Sequence, residues 1–333
     1  MDSLTQIVLG ASVGEAVLGK KVGNRAMLWG AVAGTIPDLD VLFGFFTDTV
    51  TAIEWHRGVS HSLFFAILAS PLLGWGVGRL YPKEDASWRD WSWLMFWGLF
   101  THSLLDAFTT WGTQLLWPLD FPLAFQSIFV IDPLYTLPLL IALILVLRQP
   151  GTSPKRGRYN RLGLVLSTSY LALTVVLKGL AYRQFLRNLE LQGIEFTEIS
   201  SRPTPFNTLL WTANVDMPDA YLIAYYSFLD SKDIQFYTYP KNHDLLGDFG
   251  KGDKVKRLIA ITQGWYTLTQ SGDGVLLNDL RFGPLSLHPG EDRFAFSYQL
   301  ISKGDTVTVK EVPKSKRDAK ELLRALWERI CGN

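Results

Sequence analysis

The stretch His56-Arg57-Gly58-Val59-Ser60-His61-Ser62 stands directly before a long apolar run. The other candidate site residues are interpreted in relation to this stretch. Three of the five histidines, at positions 56, 61 and 102, lie in the first third of the chain, inside or beside hydrophobic segments. Ionisable groups are unfavourable inside a bilayer, and there they usually face a partner, a cavity or an ion. The pattern therefore predicts a polar site built between the helices of a membrane protein.

Carboxylates accompany these histidines and predict a metal site. Asp38 and Asp40 follow Pro37, and Asp106 lies four residues after His102, so that those last two side chains share one face of a helix. Imidazole and carboxylate ligands suit zinc first, and manganese or magnesium second. The predicted ligands come from several segments and are Asp38, Asp40, His56, His61, His102 and Asp106. Each also has an ordinary structural explanation, such as a hydrogen-bonded pair between helices, a polar helix end or a solvated loop.

Four residues are candidates for direct roles in catalysis. Arg57 carries a planar guanidinium that suits a phosphate or carboxylate group, and Asp106 lies on the predicted metal helix. Asp132 or Glu15 could accept a proton. Asp132 precedes Pro133, so a helix N-cap is the main structural alternative for it. Glu15 could equally be a ligand, a partner of a ligand or a charge at a helix end.

The composition indicates a membrane protein. The 333 residues are 48% hydrophobic and only 19% charged, and the apolar excess lies in the N-terminal half. The net charge of +1 gives no indication of a nucleic-acid partner. The single cysteine, Cys331, excludes an intrachain disulfide and a cysteine-rich metal site. The first apolar segment lacks the basic region of a signal peptide, so we expect it to be retained.

Six apolar segments are candidate membrane spans: residues 4–18, 26–46, 60–81, 91–111, 127–147 and 162–182. The basic loops 20–25 and 148–161 belong in the cytoplasm by the positive-inside rule, and the second holds five positive residues and no acid. With six spans, both termini lie outside and most predicted ligands fall at the outer ends of their helices. We expect a multi-pass protein of the cell (inner) membrane.

The pattern changes after Tyr182. Short runs rich in aromatic and β-branched residues, such as 221–228, 235–239 and 257–269, alternate with turns and predict strands. Residues 314–330 have the apolar spacing of a closing amphipathic helix. The sequence thus predicts two domains: an α-helical membrane domain at 1–183, and a mainly β, soluble, extracytoplasmic domain at 184–333.

Five motifs in order resemble the YdjM-type family of membrane-bound metal-dependent hydrolases. They cover roughly residues 1–147 and are Met1-Asp2-Ser3-Leu4-Thr5-Gln6, Gly34-Thr35-Ile36-Pro37-Asp38-Leu39-Asp40, the His56–Ser62 stretch, His102-Ser103-Leu104-Leu105-Asp106 and Ile131-Asp132-Pro133-Leu134-Tyr135. The family often has histidine where this chain has Gln6. It is distantly similar to secreted zinc phospholipases C and zinc nucleases, which implies phosphoester hydrolysis.

The expected function is hydrolysis of a phosphoester in a lipid or amphiphile at the outer leaflet, with the β domain gating or selecting the substrate. Two other functions stay open. The same ligands could form a structural metal clasp beside a partner-binding β domain, or they could belong to a metal-ion transporter with further ligands through the bilayer. The sequence specifies neither the substrate nor the oligomeric state.

Overall fold

The N-terminal helices follow the apolar segments in order. The structure is a computed structural model that describes residues 1–119, 121–272, 274–287, 293–303, 306–313 and 319–332. The helix α1 begins after Asp2, whose side chain accepts a hydrogen bond from the Thr5 amide, and it ends before Gly23, which has a positive φ of 58° that glycine adopts without strain. The α-helices before the first β-strand are α1 (Ser3–Val22), α2 (Asn24–Ala33), α3 (Thr49–Trp55), α4 (Leu63–Leu80), α5 (Trp88–Asp106), α6 (Pro133–Leu147) and α7 (Pro154–Leu191).

The chain divides into two compact units. The first holds Met1–Phe45, Trp55–Leu177 and Pro205–Asn207, and the second, called the C-terminal unit below, holds Phe46–Glu54, Lys178–Thr204 and Thr208–Asn333. The sequence of α7 therefore contributes to both. The short segment that contains α3 belongs to the second unit, although it lies between two segments of the first.

The predicted count of six spans is not supported. Within the described ranges, α4 and α7 are long and apolar enough to cross a membrane. A third span exists if α2 and the 3-10 helix Pro37–Phe45, which are bent by 44° at their junction, count as one broken span. For α6 the reason is its length. α6 has 15 residues and a length of about 22 Å, below the ~30 Å of a hydrocarbon core.

Small residues bring the first helices into backbone contact. A Cβ atom added at Gly30 of α2 would clash with the carbonyl oxygen of Gly10 on α1, and one at Gly98 of α5 would clash with the side chain of Ala33. Close packing through small residues is typical of helices in membranes. It places the end of α2, at Gly34, beside α5.

The C-terminal unit confirms a mainly β domain with a closing helix. Two four-stranded antiparallel sheets are each formed by strands consecutive in the chain. The first contains β1 (Glu198–Pro203), β2 (Leu210–Asp216), β3 (Ala220–Ser227) and β4 (Phe236–Pro240), and the second β5 (Tyr266–Ser271), β6 (Gly274–Asp279), β7 (Ser297–Lys303) and β8 (Thr306–Glu311). The closing helix, named α9 below, is Ala319–Ile330; residues 314–318 of its predicted range lie outside the described residues.

The strand predicted at 257–269 is wrong in its first half. A helix occupies Asp253–Ile261 and is named α8 here. It buries Val255 and Leu258, which are three residues apart and so lie on one helical face. β5 begins only at Tyr266.

Candidate metal centre

Four side chains from three separate elements converge in the first unit. Asp38 comes from the 3-10 helix Pro37–Phe45, His61 from the 3-10 turn before α4, and His102 and Asp106 from α5. One ligand atom of each lies within 4.8 Å of the others. The sequence prediction for these four residues thus matches one cluster in space.

The distances within the cluster suit a tetrahedral metal ion. The Nε2 atoms of His61 and His102 are 3.1 Å apart, and Asp38 Oδ1 lies 3.4 Å and 3.5 Å from them. Asp106 Oδ2 lies 3.7 Å and 3.8 Å from the same two nitrogens. Ligand atoms at about 2.0–2.2 Å from a tetrahedral zinc ion are about 3.3–3.6 Å from each other. Asp38 and Asp106 supply the two carboxylate oxygens of this donor set, and Arg57 and the α-amino group of Met1 also contact Asp106.

Neighbouring acceptors orient both imidazole rings towards this point. His102 Nδ1 is 2.7 Å from the carbonyl oxygen of Gly34, and a carbonyl can only accept, so Nδ1 carries the proton. His61 Nδ1 is 3.3 Å from Asp40 Oδ2 and 3.0 Å from Ser60 Oγ. These contacts of Nδ1 leave the Nε2 atom of each ring directed into the cluster, which is the arrangement found in metal-binding histidines. Two imidazole nitrogens and two carboxylate oxygens directed at one point form a donor set of the kind that binds zinc.

Asp106 has its own set of partners. Its Oδ1 atom contacts the buried α-amino group of Met1 and accepts a hydrogen bond of 2.9 Å from Gln6 Nε2. Its Oδ2 atom is buried and lies 3.0 Å from Arg57 Nε. No donor among the described residues meets this oxygen with hydrogen-bond geometry, which leaves it available to a metal.

Asp40 and His56, both predicted ligands, lie next to the four-residue cluster and outside it. Asp40 accepts hydrogen bonds from the Arg57 amide at 2.8 Å and from Ser60 Oγ at 3.0 Å. His56 Nδ1 is 2.8 Å from Asp40 Oδ1, and its side chain is 26% exposed. Asp40 thus connects the 3-10 helix Pro37–Phe45 to the His56–Ser62 stretch and orients two imidazoles.

Arg57 is directed into the protein. Its backbone has a positive φ of 62°, and its side chain is buried. The guanidinium donates a hydrogen bond of 2.9 Å to Thr109 Oγ1 and faces Asp106. These contacts fix the carboxylate of Asp106; the predicted contact of Arg57 with an anionic substrate stays a prediction.

Asp132 and Glu15 lie apart from the cluster. Asp132 is the N-cap of α6, accepting a hydrogen bond of 2.9 Å from the Leu134 amide, and it accepts another of 2.9 Å from the hydroxyl of Tyr170. Glu15 is buried and accepts two hydrogen bonds from Arg156, at 3.0 Å and 2.8 Å. Both carboxylates are engaged in structural contacts.

Three contributions to the centre were not predicted from the sequence. They are the carbonyl of Gly34, the amide of Gln6 and the α-amino group of Met1. A detectable signal existed for Gly34, because Gly30-x-x-x-Gly34 and Gly10-x-x-x-Gly14 have the spacing of closely packed helices. Met1 and Gln6 lie in one of the five motifs, but their contacts with Asp106 depend on where α1 begins relative to α5.

Apolar helices around a buried aspartate–histidine cluster, followed by a β unit, define a membrane protein with a candidate metal centre. The chain belongs to the YdjM family: the family model described as YdjM inner membrane protein matches residues 1–181. The resemblance in the motifs is thereby confirmed, and the match contains the whole cluster.

A curated relative is similar over part of the same region. Inner membrane protein YbcI of Escherichia coli (strain K12) is 33% identical over 117 residues, which are 34% of this chain and 66% of that protein. The chain therefore covers slightly less than two thirds of the relative. No solved structure matches the chain significantly.

Proposed function

We propose that the protein is a membrane-bound, metal-dependent hydrolase that acts on a phosphoester in a lipid or amphiphile. The observation that carries this proposal is the convergence of four ligand atoms, from three elements, within 4.8 Å of one another. A divalent metal, with zinc as the first candidate, would polarise the phosphoester and activate water there. Asp38, His61, His102 and Asp106 are the residues that would hold it.

The surrounding residues support this chemistry in different ways. Asp40 orients His61, and Arg57 holds Asp106. His56 lies beside the cluster, is partly exposed and is oriented by Asp40. It is therefore a better placed proton acceptor than Asp132 or Glu15, whose carboxylates already have structural partners.

An amphiphilic substrate is supported by the surface next to the most open ligand. The side chain of Asp38 is 22% exposed, whereas those of His61, His102 and Asp106 are almost fully buried. Asp38 lies on the 3-10 helix that exposes Leu42, Phe43 and Phe45. A molecule with an apolar chain and a phosphoester group could contact both features at once.

The structural clasp remains the second candidate because the cluster is so deeply buried. The transporter is less well supported, since the distant acid that would extend a path, Glu15, is neutralised by Arg156. Flux of zinc into proteoliposomes that depends on the protein would favour transport.

Metal analysis and hydrolysis assays on the purified full chain distinguish enzyme from clasp. We expect about one bound zinc per chain and hydrolysis of a fluorescent phospholipid or bis-p-nitrophenyl phosphate. The His102→Ala variant should lose metal and turnover, while His243→Ala, in the C-terminal unit, should keep both. A parent protein that binds metal tightly and melts on its removal, without any turnover, would support the clasp instead.

The orientation of the C-terminal unit belongs to the same proposal. The basic loop 148–161 overlaps the start of α7, which is long and apolar enough to span. By the positive-inside rule this end of α7 is cytoplasmic. The chain after α7 would then lie on the outer side, whatever the number of earlier spans.

A further inference from the structure

We propose that the C-terminal unit positions the metal centre through α3, with Val50 and Arg257 as positioning residues. This inference rests on the proposed metal site. It concerns a segment of nine residues, Phe46–Glu54, which belongs to the second unit although both of its neighbours in the chain belong to the first.

An apolar contact anchors α3 in the C-terminal unit. Val50 is fully buried in a hydrophobic cluster that includes Val255 and Leu258 of α8 and Leu277 of β6. Ile53, one turn later on α3, packs against the same cluster. A short helix of seven residues is not stable alone, so this contact is what keeps α3 in place.

A polar contact fixes the end of α3 that leads into the centre. The guanidinium of Arg257 pairs with both carboxylate oxygens of Glu54, and its Nη2 atom donates a hydrogen bond of 3.1 Å to Thr51 Oγ1. At the other end of α3, Lys254 Nζ lies 3.6 Å from Asp48 Oδ2. A bidentate guanidinium–carboxylate pair restrains direction as well as distance.

Segments that contribute residues to the metal centre or its surroundings flank this anchored piece on both sides. The 3-10 helix that carries Asp38 and Asp40 ends at Phe45, and His56 follows Glu54 by two residues. Asp40 closes the loop at its base by accepting the Arg57 amide. Chain 40–57 is therefore a loop whose tip is held by the C-terminal unit and whose base forms one side of the metal centre.

Displacement of α3 must consequently be transmitted to the base of the loop. The path is the covalent backbone, and only Trp55 and His56 separate Glu54 from Arg57, so few soft dihedral angles are available to absorb the displacement. The groups affected first are the Arg57 amide, Asp40 and, through Asp40, the ring of His61.

The test uses the full-length protein in nanodiscs and two independent readouts. The first is zinc affinity by competition with a chromophoric chelator. The second is amide hydrogen exchange of peptide 55–62 in metal-free protein, with the β2–β3 hairpin as the internal reference. The variants are Arg257→Gln, Arg257→Lys and Glu54→Gln. The control is Arg324→Gln, which breaks an exposed pair with Glu328 in α9.

We expect Arg257→Gln and Glu54→Gln to weaken zinc binding about 10-fold, as loss of an outer partner of a metal site does. Exchange of peptide 55–62 should rise while the β2–β3 hairpin stays protected. Arg257→Lys should fall between these variants and the parent, and Arg324→Gln should match the parent. If Arg257→Gln also raises the exchange of the β2–β3 hairpin, the C-terminal unit itself is destabilised by that variant. The result for Glu54→Gln then decides whether α3 is coupled to the metal centre, because that substitution leaves α8 unchanged.

Unchanged exchange of peptide 55–62 together with unchanged zinc affinity, in variants whose α3 peptide exchanges faster, would overturn the coupling. A parent protein that binds no zinc would overturn the proposed metal site instead. In that case the exchange measurement still decides whether α3 restrains the His56–Ser62 stretch.

Discussion

Asp40 is a residue that orients metal ligands and is not itself one of the four clustered ligands. In the structure it contacts His56, His61, Ser60 and the Arg57 amide and lies outside the cluster. We therefore expect Asp40→Asn to lower zinc affinity about 10- to 100-fold, as loss of a residue that orients a ligand does. Asp38→Asn should lower it further, and the exposed Asp248→Asn should leave it unchanged. Equal losses for Asp38→Asn and Asp40→Asn, measured by chelator competition, would make Asp40 a ligand after all.

Arg57 gives a prediction about stability. It is a buried cation against the buried carboxylate of Asp106, and removal of one member of such a pair costs about 3–5 kcal/mol. Arg57→Met should therefore lower the melting temperature of the metal-free protein, and added zinc should restore part of the loss because it compensates the same carboxylate. Arg324→Met, which removes an exposed partner, should change little. Melting followed with and without zinc tests this, and a loss that zinc does not reduce would separate Arg57 from the metal centre.

Among the four residues that meet in the cluster, His102 and Asp106 are the pair whose sequence spacing has one geometric meaning. His102 and Asp106, four apart on a regular helix, had to share a face. Asp38 and Asp40 lie on a 3-10 helix, where side chains two residues apart point in directions about 120° apart. One carboxylate therefore enters the cluster and the other lies beside it. No feature of the sequence indicated a 3-10 helix there.

At the scale of elements, the contact between α1 and α2 determines where the Gly34 carbonyl lies. A side chain at Gly30 would collide with backbone atoms of α1, which cannot move aside as a flexible side chain can. We expect Gly30→Ala to separate the two helices, weaken the hydrogen bond from His102 to Gly34 and reduce zinc affinity about 10-fold. Gly76→Ala on α4 is the matched control, because its Cβ would meet no atom within 4 Å. Equal affinities in the two variants would show that this helix contact does not position His102.

Elements were predicted well where hydrophobic period and length agreed, and poorly where they conflicted. The predicted strands 221–228 and 235–239 overlap β3 and β4. Residues 257–261, the second half of α8, were predicted as strand because their apolar residues have the composition of one, whereas the three-residue spacing of Val255 and Leu258 is helical. The six predicted spans all overlap helices, but several of these helices carry polar residues and α6 is short, so composition alone overstated how many are long and apolar enough to cross a membrane.

At the scale of the whole molecule, sequence patterns placed the change from helices to strands near Tyr182 because composition changes there. A change of composition could not predict that the segment Phe46–Glu54 belongs to the second unit. It depends on the fit of Val50 and Ile53 into a cluster formed more than 200 residues later in the chain. Contacts of such sequence separation leave no local pattern.

The exposed single cysteine provides a direct test of orientation in the native chain. Cys331 follows α9 in the C-terminal unit, so the proposed topology places it on the outer side of the membrane. A membrane-impermeant maleimide should then label the protein in intact spheroplasts, and Cys331→Ser should remove the signal. Thr152→Cys in the Cys331→Ser background introduces an exposed thiol in the basic loop, and it should react only after lysis. If Cys331 were protected until lysis while Thr152→Cys reacted in intact spheroplasts, α7 would run in the opposite direction. The basic loop would then lie outside, and the C-terminal unit would lie in the cytoplasm.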